Sequence, residues 1–164
     1  MTGDFLITKE FLKELSPCTD GYRWFCEAYP DGGKYQEVLD NLCKIDRFDD
    51  AFWLLRKVGA TDDVLELDSI DDKEKNICFA GTIRASKYLI LKNIKAGGSI
   101  EAGGSIEAGE SIEAGWSIKA GEDYGVYAGL RVRISDMKEK GYVKAQEKPK
   151  NIMCGYWDGE GYES

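Results

Sequence analysis

Histidine is absent from all 164 residues. Without an imidazole the chain cannot build a Ser-His-Asp or Cys-His nucleophile, a histidine general base, or the usual catalytic zinc sites. Proline is scarce, at Pro17, Pro30 and Pro149 only, and each reads as the end of an element. Cysteine occurs five times, at Cys18, Cys26, Cys43, Cys78 and Cys154. An odd number at scattered spacings, with no C-x-x-C pair, fits neither a disulfide scaffold nor a zinc knuckle, and points to reduced, buried thiols. No apolar run approaches the roughly 20 residues of a membrane span, and MTGDFLITKE has no signal-peptide core, so a soluble, cytoplasmic protein is expected.

The formal net charge is −8, and it is unevenly placed. Met1 to Lys75 holds 18 acidic and 10 basic residues, a difference of −8, whereas Asn76 to Ser164 holds 12 of each. A negative field that steers a partner must therefore come from the N-terminal half.

Residues Ala96 to Ala120 read AGGSIEAGGSIEAGESIEAGWSIKA, a six-residue unit copied four times. Ile94, Ile100, Ile106, Ile112 and Ile118 recur at that spacing, which would smear around a helix, because six is no multiple of about 3.6. On an extended strand, serine, isoleucine, glutamate and alanine alternate out and in, and the glycines turn a corner. Each unit is one short strand and one bend, and stacked units bury a common isoleucine core. The fold class expected is mainly β with an α-helical N-terminal part: a parallel β-helix of hexad repeats, about three coils, capped by a small helical bundle.

Charges favour a triangular coil of 18 residues over one of 12. The longer turn stacks Lys95 on Glu113 on Arg131 and Glu101 on Lys119, whereas the shorter one sets Glu101 against Glu113. The register is expected to run on through Tyr124 to Leu130 and to start near Ile77. The chain divides accordingly into a helical bundle at 1–60, an acidic linker with an edge strand at 61–76, the β-helix at 77–135, and a C-terminal hairpin and tail at 136–164. Thr8 is expected to cap a first helix, Asp20 to open a second that ends at Pro30, and Gly59 to stop a fourth. Tyr142 to Ala145 and Ile152 to Cys154 read as the hairpin, and Tyr156, Trp157 and Tyr162 as part of the acidic tail.

No convergent catalytic constellation is visible. A triangular winding aims Glu101, Glu107 and Glu113 at different sides, so they read as a solvated rail, and the repeat glycines match no phosphate-binding loop. No enzyme activity, cofactor or metal is expected. Hexad-repeat acyltransferases share the left-handed β-helix that the repeat resembles, but their base is a histidine. Basic groups at Arg131, Arg133, Lys138, Lys140, Lys144, Lys148 and Lys150 are interleaved with acids and read as a solvated face, so direct nucleic-acid binding is not expected.

The pairing of ITKEFLKEL, GYRWFCEAYPDGGKYQEVLDNL and DDAFWLLRKVG with KAGGSIEAGGSIEAG and AGEDYGVYAGLRVRIS resembles a family of small phage and mobile-element proteins with an N-terminal helical domain and SIEAG hexads. By analogy, small acidic phage proteins of this kind are often inhibitors of host defence, anti-CRISPR proteins and DNA mimics among them. The resemblance implies a protein partner, a host nucleic-acid-binding complex, met by the acidic half or the solenoid flank. The candidate contact residues are Asp46, Asp49, Asp50, Trp53, Asp62, Asp63, Glu66, Asp68, Asp71, Asp72, Glu74, Glu110 and Trp116. Two alternatives stay open: a structural module in which solenoid faces form a homo-oligomer, and a small-ligand or carbohydrate-active β-helix with a pocket at the helix-solenoid junction.

Overall fold

A computed structural model describes residues 1–159. Of the expected tail, Tyr162 lies outside the described residues, whereas Tyr156 and Trp157 form a strand of the last coil. The helical part contains β1 (Leu6–Ile7), α1 (Lys9–Glu14), α2 (Thr19–Ala28), β2 (Gly33–Lys34), α3 (Tyr35–Lys44) and α4 (Phe48–Val58), with β1 antiparallel to β2. Thr8 caps α1 by accepting the Phe11 N–H at 3.1 Å. The second helix starts one residue earlier than Asp20, because the Cys18 sulfur accepts the Gly21 N–H and serves as the cap. Gly59 ends α4 at φ +96°, a conformation that a side chain resists.

The solenoid follows directly. Its first coil is β3 (Val64–Leu67), β4 (Ile70–Asp71) and β5 (Asn76–Phe79), and its second is β6 (Thr82–Ala85), β7 (Leu89–Leu91) and β8 (Asn93–Ala96). The third is β9 (Ile100–Ala102), β10 (Ile106–Ala108) and β11 (Ile112–Ala114). The fourth contains β12 (Ile118–Lys119) and β13 (Val126–Tyr127), then a 3-10 turn and α5 (Met137–Lys140), then β14 (Tyr142–Lys144). The last holds β15 (Ile152–Cys154) and β16 (Tyr156–Trp157). Three parallel faces result: β3-β6-β9-β12, β4-β7-β10-β13-β15 and β5-β8-β11-β14-β16.

Every pairing within the perfect repeat spans 18 residues, as in Ile94 with Ile112 and Ile100 with Ile118. The one-residue slip between Leu89 and Ile94 shortens the preceding coil, so that Leu89 pairs with Ile106 and Ile83 with Ile100. Core columns run Leu65-Ile83-Ile100-Ile118, Ile70-Leu89-Ile106-Val126-Ile152 and Ile77-Ile94-Ile112-Val143-Trp157. From Ile83 to Ile118 the aliphatic members are fully or almost fully buried. At the corners the coils nearly touch: a methyl group on Gly115 would overlap the carbonyl oxygen of Gly97.

Five coils form rather than about three, because the winding extends past both expected ends. Residues 61–76 contain the expected edge strand, β3, but the rest is not a linker, since β4 and the start of β5 complete a coil. Leu67 and Ile70 pack against the core and Leu65 is in register with buried Ile83, while the acids take the outward and corner positions. Downstream, Val126 and not Tyr124 continues the register, and Val143 and not Leu130 lies on Ile112, since residues 129–141 leave the coil. Lys144 consequently takes the place beside Glu113 that was expected of Arg131. The C-terminal hairpin is also corrected: β14 and β15 lie on different faces, each parallel to its neighbours. Pro149 is buried near the last strand of the first face, where Lys148 and Lys150 flank it. A proline cannot donate to a further strand, which blunts that edge.

Candidate functional site

The helical part is fixed to the solenoid by contacts that complete the free edge of its third face. Gln36 on α3 donates from Nε2 to the Cys78 carbonyl at 3.0 Å, and its Oε1 accepts the Ala80 N–H at 2.9 Å. One side-chain amide thus satisfies a donor and an acceptor that the first strand would otherwise leave unpaired. The Tyr35 hydroxyl adds a bond to the Gly59 carbonyl at 2.8 Å.

Above this edge α4 lies on the flank of the third face. The outward column there is Cys78, Lys95, Glu113 and Lys144. Lys95 is 1% exposed, with Nζ 2.6 Å from the Tyr142 hydroxyl and 4.3 Å from the ring centroids of both Phe52 and Tyr142. Burial pushes its ammonium down to about 8, against the opposing pull of Glu113. Burial first, and Glu113 second, push the Tyr142 phenol up to about 12. Burial likewise raises the Cys78 thiol and moves Cys43 up to about 12, so these two are poor nucleophiles. Of the five thiols expected to be buried, Cys78 is, Cys26, Cys43 and Cys154 are half-buried, and Cys18 is exposed at the α2 cap.

Beside this junction is a cleft of about 600 Å³, open at the corner between the second and third faces. Asp20, Asp46, Asp49 and Asp50 line it from the helical part, and Asn76, Lys92, Asn93 and Glu110 from the solenoid. Five carboxylates, Asp20, Asp46, Asp49, Asp50 and Glu110, face two cations, Arg47 and Lys92. Arg47 bridges Asp50 and Asp20, each at 2.8 Å, and its guanidinium sits 5.8 Å from the Trp24 ring centroid. Asn93 fixes the opposite wall, donating to Glu110 at 2.7 Å and to Asn76 at 3.0 Å while accepting from the Ser111 N–H and hydroxyl. Asp46 and Asp49 form no ion pair among the described residues.

An apolar pit of about 290 Å³ opens next to the cleft within the helical part. Leu12, Pro17, Trp24, Phe25, Trp53 and Leu54 line it, with Asp49, Asp50 and Arg56 among its polar lining. Asp49 and Asp50 therefore border both concavities. They sit in the first turn of α4, where the helix dipole favours carboxylates.

Of the residues singled out in the sequence, Asp46, Asp49, Asp50 and Glu110 converge on the cleft and Trp53 on the pit. The others are dispersed. Asp62 pairs with the N-terminal amine at 3.1 Å and Asp63 accepts the Gly3 N–H. Glu66 and Glu101 share Arg84 on the first face, and Asp68 accepts the Ser86 hydroxyl at 3.1 Å. Asp71 is exposed on β4, Asp72 accepts the Glu74 N–H, and Glu74 pairs with Arg131 at 3.0 Å. Trp116 stands 55% exposed at a different corner, its carbonyl accepting the N–H groups of Gln146 and Glu147. Asp20, Arg47 and Asn93 were not singled out. Asn93 carried a signal, since it replaces the serine that precedes Ile100, Ile106, Ile112 and Ile118.

Among the described residues no helix is long and apolar enough to cross a membrane. Residues 1–60 match the family model described as the YdhT N-terminal domain. No curated protein and no solved structure matches the chain. The family likeness covers the helical part, which contributes the pit and one wall of the cleft.

Proposed function

We propose that the protein is a non-enzymatic binding protein whose pit and cleft together seat a basic segment of a protein partner that carries an apolar anchor residue. The observation that supports this most directly is the sharing of Asp49 and Asp50 between a largely apolar pit and an acidic cleft. An aliphatic or aromatic side chain in the pit would place a neighbouring lysine or arginine beside those carboxylates, which is the arrangement of a hot spot next to a charged rim. The partner class is a host nucleic-acid-targeting defence complex, whose nucleic-acid channel supplies basic segments. The phage-type resemblance of the sequence motivates that choice.

Mimicry of a nucleic acid by the solenoid flank is disfavoured. Two of its outward columns alternate in sign, Glu66, Arg84, Glu101 and Lys119 on the first face and Lys95, Glu113 and Lys144 on the third, and the second intersperses Asp71 and Glu107 with Ile90 and Tyr127. A duplex presents about one negative charge per 1.7 Å without such alternation.

The test combines candidate effector complexes with the wild type and with an Asp49→Lys, Asp50→Lys double variant. Association and loss of target cleavage with the wild type, both weakened in the double variant, is the expected result. Neither association nor inhibition across the complexes, or inhibition unchanged by the double reversal, would overturn the proposal.

A further inference from the structure

The fourth coil carries a feature that winding does not require. Lys92 alone separates β7 from β8, and Gly155 alone separates β15 from β16, yet residues 128–141 intervene between β13 and β14 at the same corner. This excursion is anchored rather than loose. The Gly129 N–H donates to the Glu110 carbonyl at 2.7 Å, Arg131 reaches Glu74 at 3.0 Å and the Lys73 carbonyl, and the Met137 thioether fits against Gly129 and Gly141. At its outer end Ile134 is 94% exposed. Arg133, Lys138 and Lys140 belong to the same excursion and form no ion pair among the described residues, and Lys138 Nζ lies 5.9 Å from the Tyr156 ring centroid. A held, exposed isoleucine flanked by cations is a preorganised anchor, because its docking loses little conformational entropy.

The surface that complements this arm is on the same molecule. The base of the arm is pinned to the Glu110 carbonyl, and Glu110 also lines the acidic cleft, so both open on one corner of the solenoid. A two-fold axis at that corner can set each arm on the other chain's cleft, giving an isologous contact made twice. The N-terminal half carries the whole net charge of −8 and the arm is basic, so two such contacts are attractive in both directions.

We propose that the arm of one copy docks in the pit and cleft of a second copy, Ile134 entering between Trp24 and Trp53 while Arg133 and Lys138 meet Asp49 and Asp50. This rests on the docking reading of the pit and cleft, and it names a second copy of the chain as an occupant that an outside partner must displace.

Sedimentation velocity on the full chain tests it, from about 1 µM to about 1 mM, the range of weak interfaces. Expected are a concentration-dependent dimer that added salt weakens, and a loss of affinity of at least about tenfold in either Ile134→Asp or Asp49→Lys. Mixing those two variants leaves one intact arm and one intact cleft, so a heterodimer should form where neither variant self-associates. Ile134 is solvent-exposed, so an unchanged thermal transition serves as the folding control. A wild type that stays monomeric over the whole range overturns the inference, as does a dimer insensitive to both substitutions. A basic peptide with a central leucine, titrated against the same monomer, separates the two ideas. Binding that Asp49→Lys weakens leaves the docking reading standing when self-association fails.

Discussion

The Lys95 ammonium and the Tyr142 hydroxyl, 2.6 Å apart, belong to the second and fourth coils and meet beneath Phe52 of α4. The coil between them contributes Glu113 to the same column as Lys95. Phe52 packs over this contact, so α4 covers the outward side of the third face there and lies beside the acidic cleft. The function proposed above depends on that placement, since Asp49 and Asp50 come from α4 while Glu110 comes from the solenoid.

Lys95→Met is expected to leave stability at pH 7 unchanged or raise it by about 1 kcal/mol, because the buried ammonium is held by a hydroxyl and two rings rather than by a close carboxylate. The sign of the pH effect is fixed. The folded group titrates near 8, below its ordinary 10.5, so between those values the unfolded chain binds more protons and stability rises with pH. Glu113 favours the charged form, and Arg56 and Lys144 oppose it. Melting temperature followed from pH 7 to pH 10.5 should climb in the wild type relative to Lys95→Met. Parallel curves would show that Lys95 does not titrate in this window.

Gln36→Leu is expected to destabilise the protein by about 1–3 kcal/mol, since it leaves the Cys78 carbonyl and the Ala80 N–H unpaired at a covered edge. Gln36→Glu keeps an acceptor for Ala80 but turns a carboxylate toward the Cys78 carbonyl, so it should also destabilise, and less so in acid. Urea midpoints at pH 4.5 and pH 7.5 measure both; equal midpoints for Gln36→Leu and the wild type would remove Gln36 from the junction.

Gly115→Ala should cost more than the few tenths of a kcal/mol of an ordinary surface change, about 2 kcal/mol or more, because its methyl group meets the Gly97 carbonyl. The coils can relieve that overlap only by parting at the corner, which strains the pairing of β8 with β11. A thermal transition within a degree of wild type would mean that the corner yields freely.

The middle of the solenoid was legible because Ile100, Ile106, Ile112 and Ile118 are set in near-identical units, and period alone places such residues inward. The first coil was not. Leu65 and Ile70 are separated by a corner, and the acids around them resemble a solvated loop. The fourth coil misled for another reason: the corner between Lys119 and Val126 is two residues longer than the repeat, and residues 129–141 then leave the coil, so Tyr124 and Leu130 kept the spacing while Val126 and Val143 kept the core. For the site, Asp49 and Asp50 were visible as charge, but their convergence with Glu110 depends on how two separate elements dock. Alternation indicated that Lys95 points outward. It could not indicate that Phe52 covers it.

The docking proposal separates local shape from bulk charge through a comparison of two sets of substitutions. Trp53→Ala enlarges the pit without altering charge, and Asp71→Lys with Asp72→Lys alters charge by as much as reversal of Asp49 and Asp50 while sparing both concavities. If the partner's anchor enters the pit, Trp53→Ala should weaken binding by about 2 kcal/mol, roughly thirtyfold. The pair at Asp71 and Asp72 should change mainly the association rate, by less than about tenfold and only at low salt. Surface plasmon resonance at two ionic strengths resolves the two rate constants. Equal losses from both sets would indicate that long-range field alone drives association, and the pit would then have no part in recognition. A loss confined to Trp53→Ala, expressed in the dissociation rate, is the outcome that an apolar anchor beside Asp49 and Asp50 requires, because an anchor must leave the pit before the complex can part.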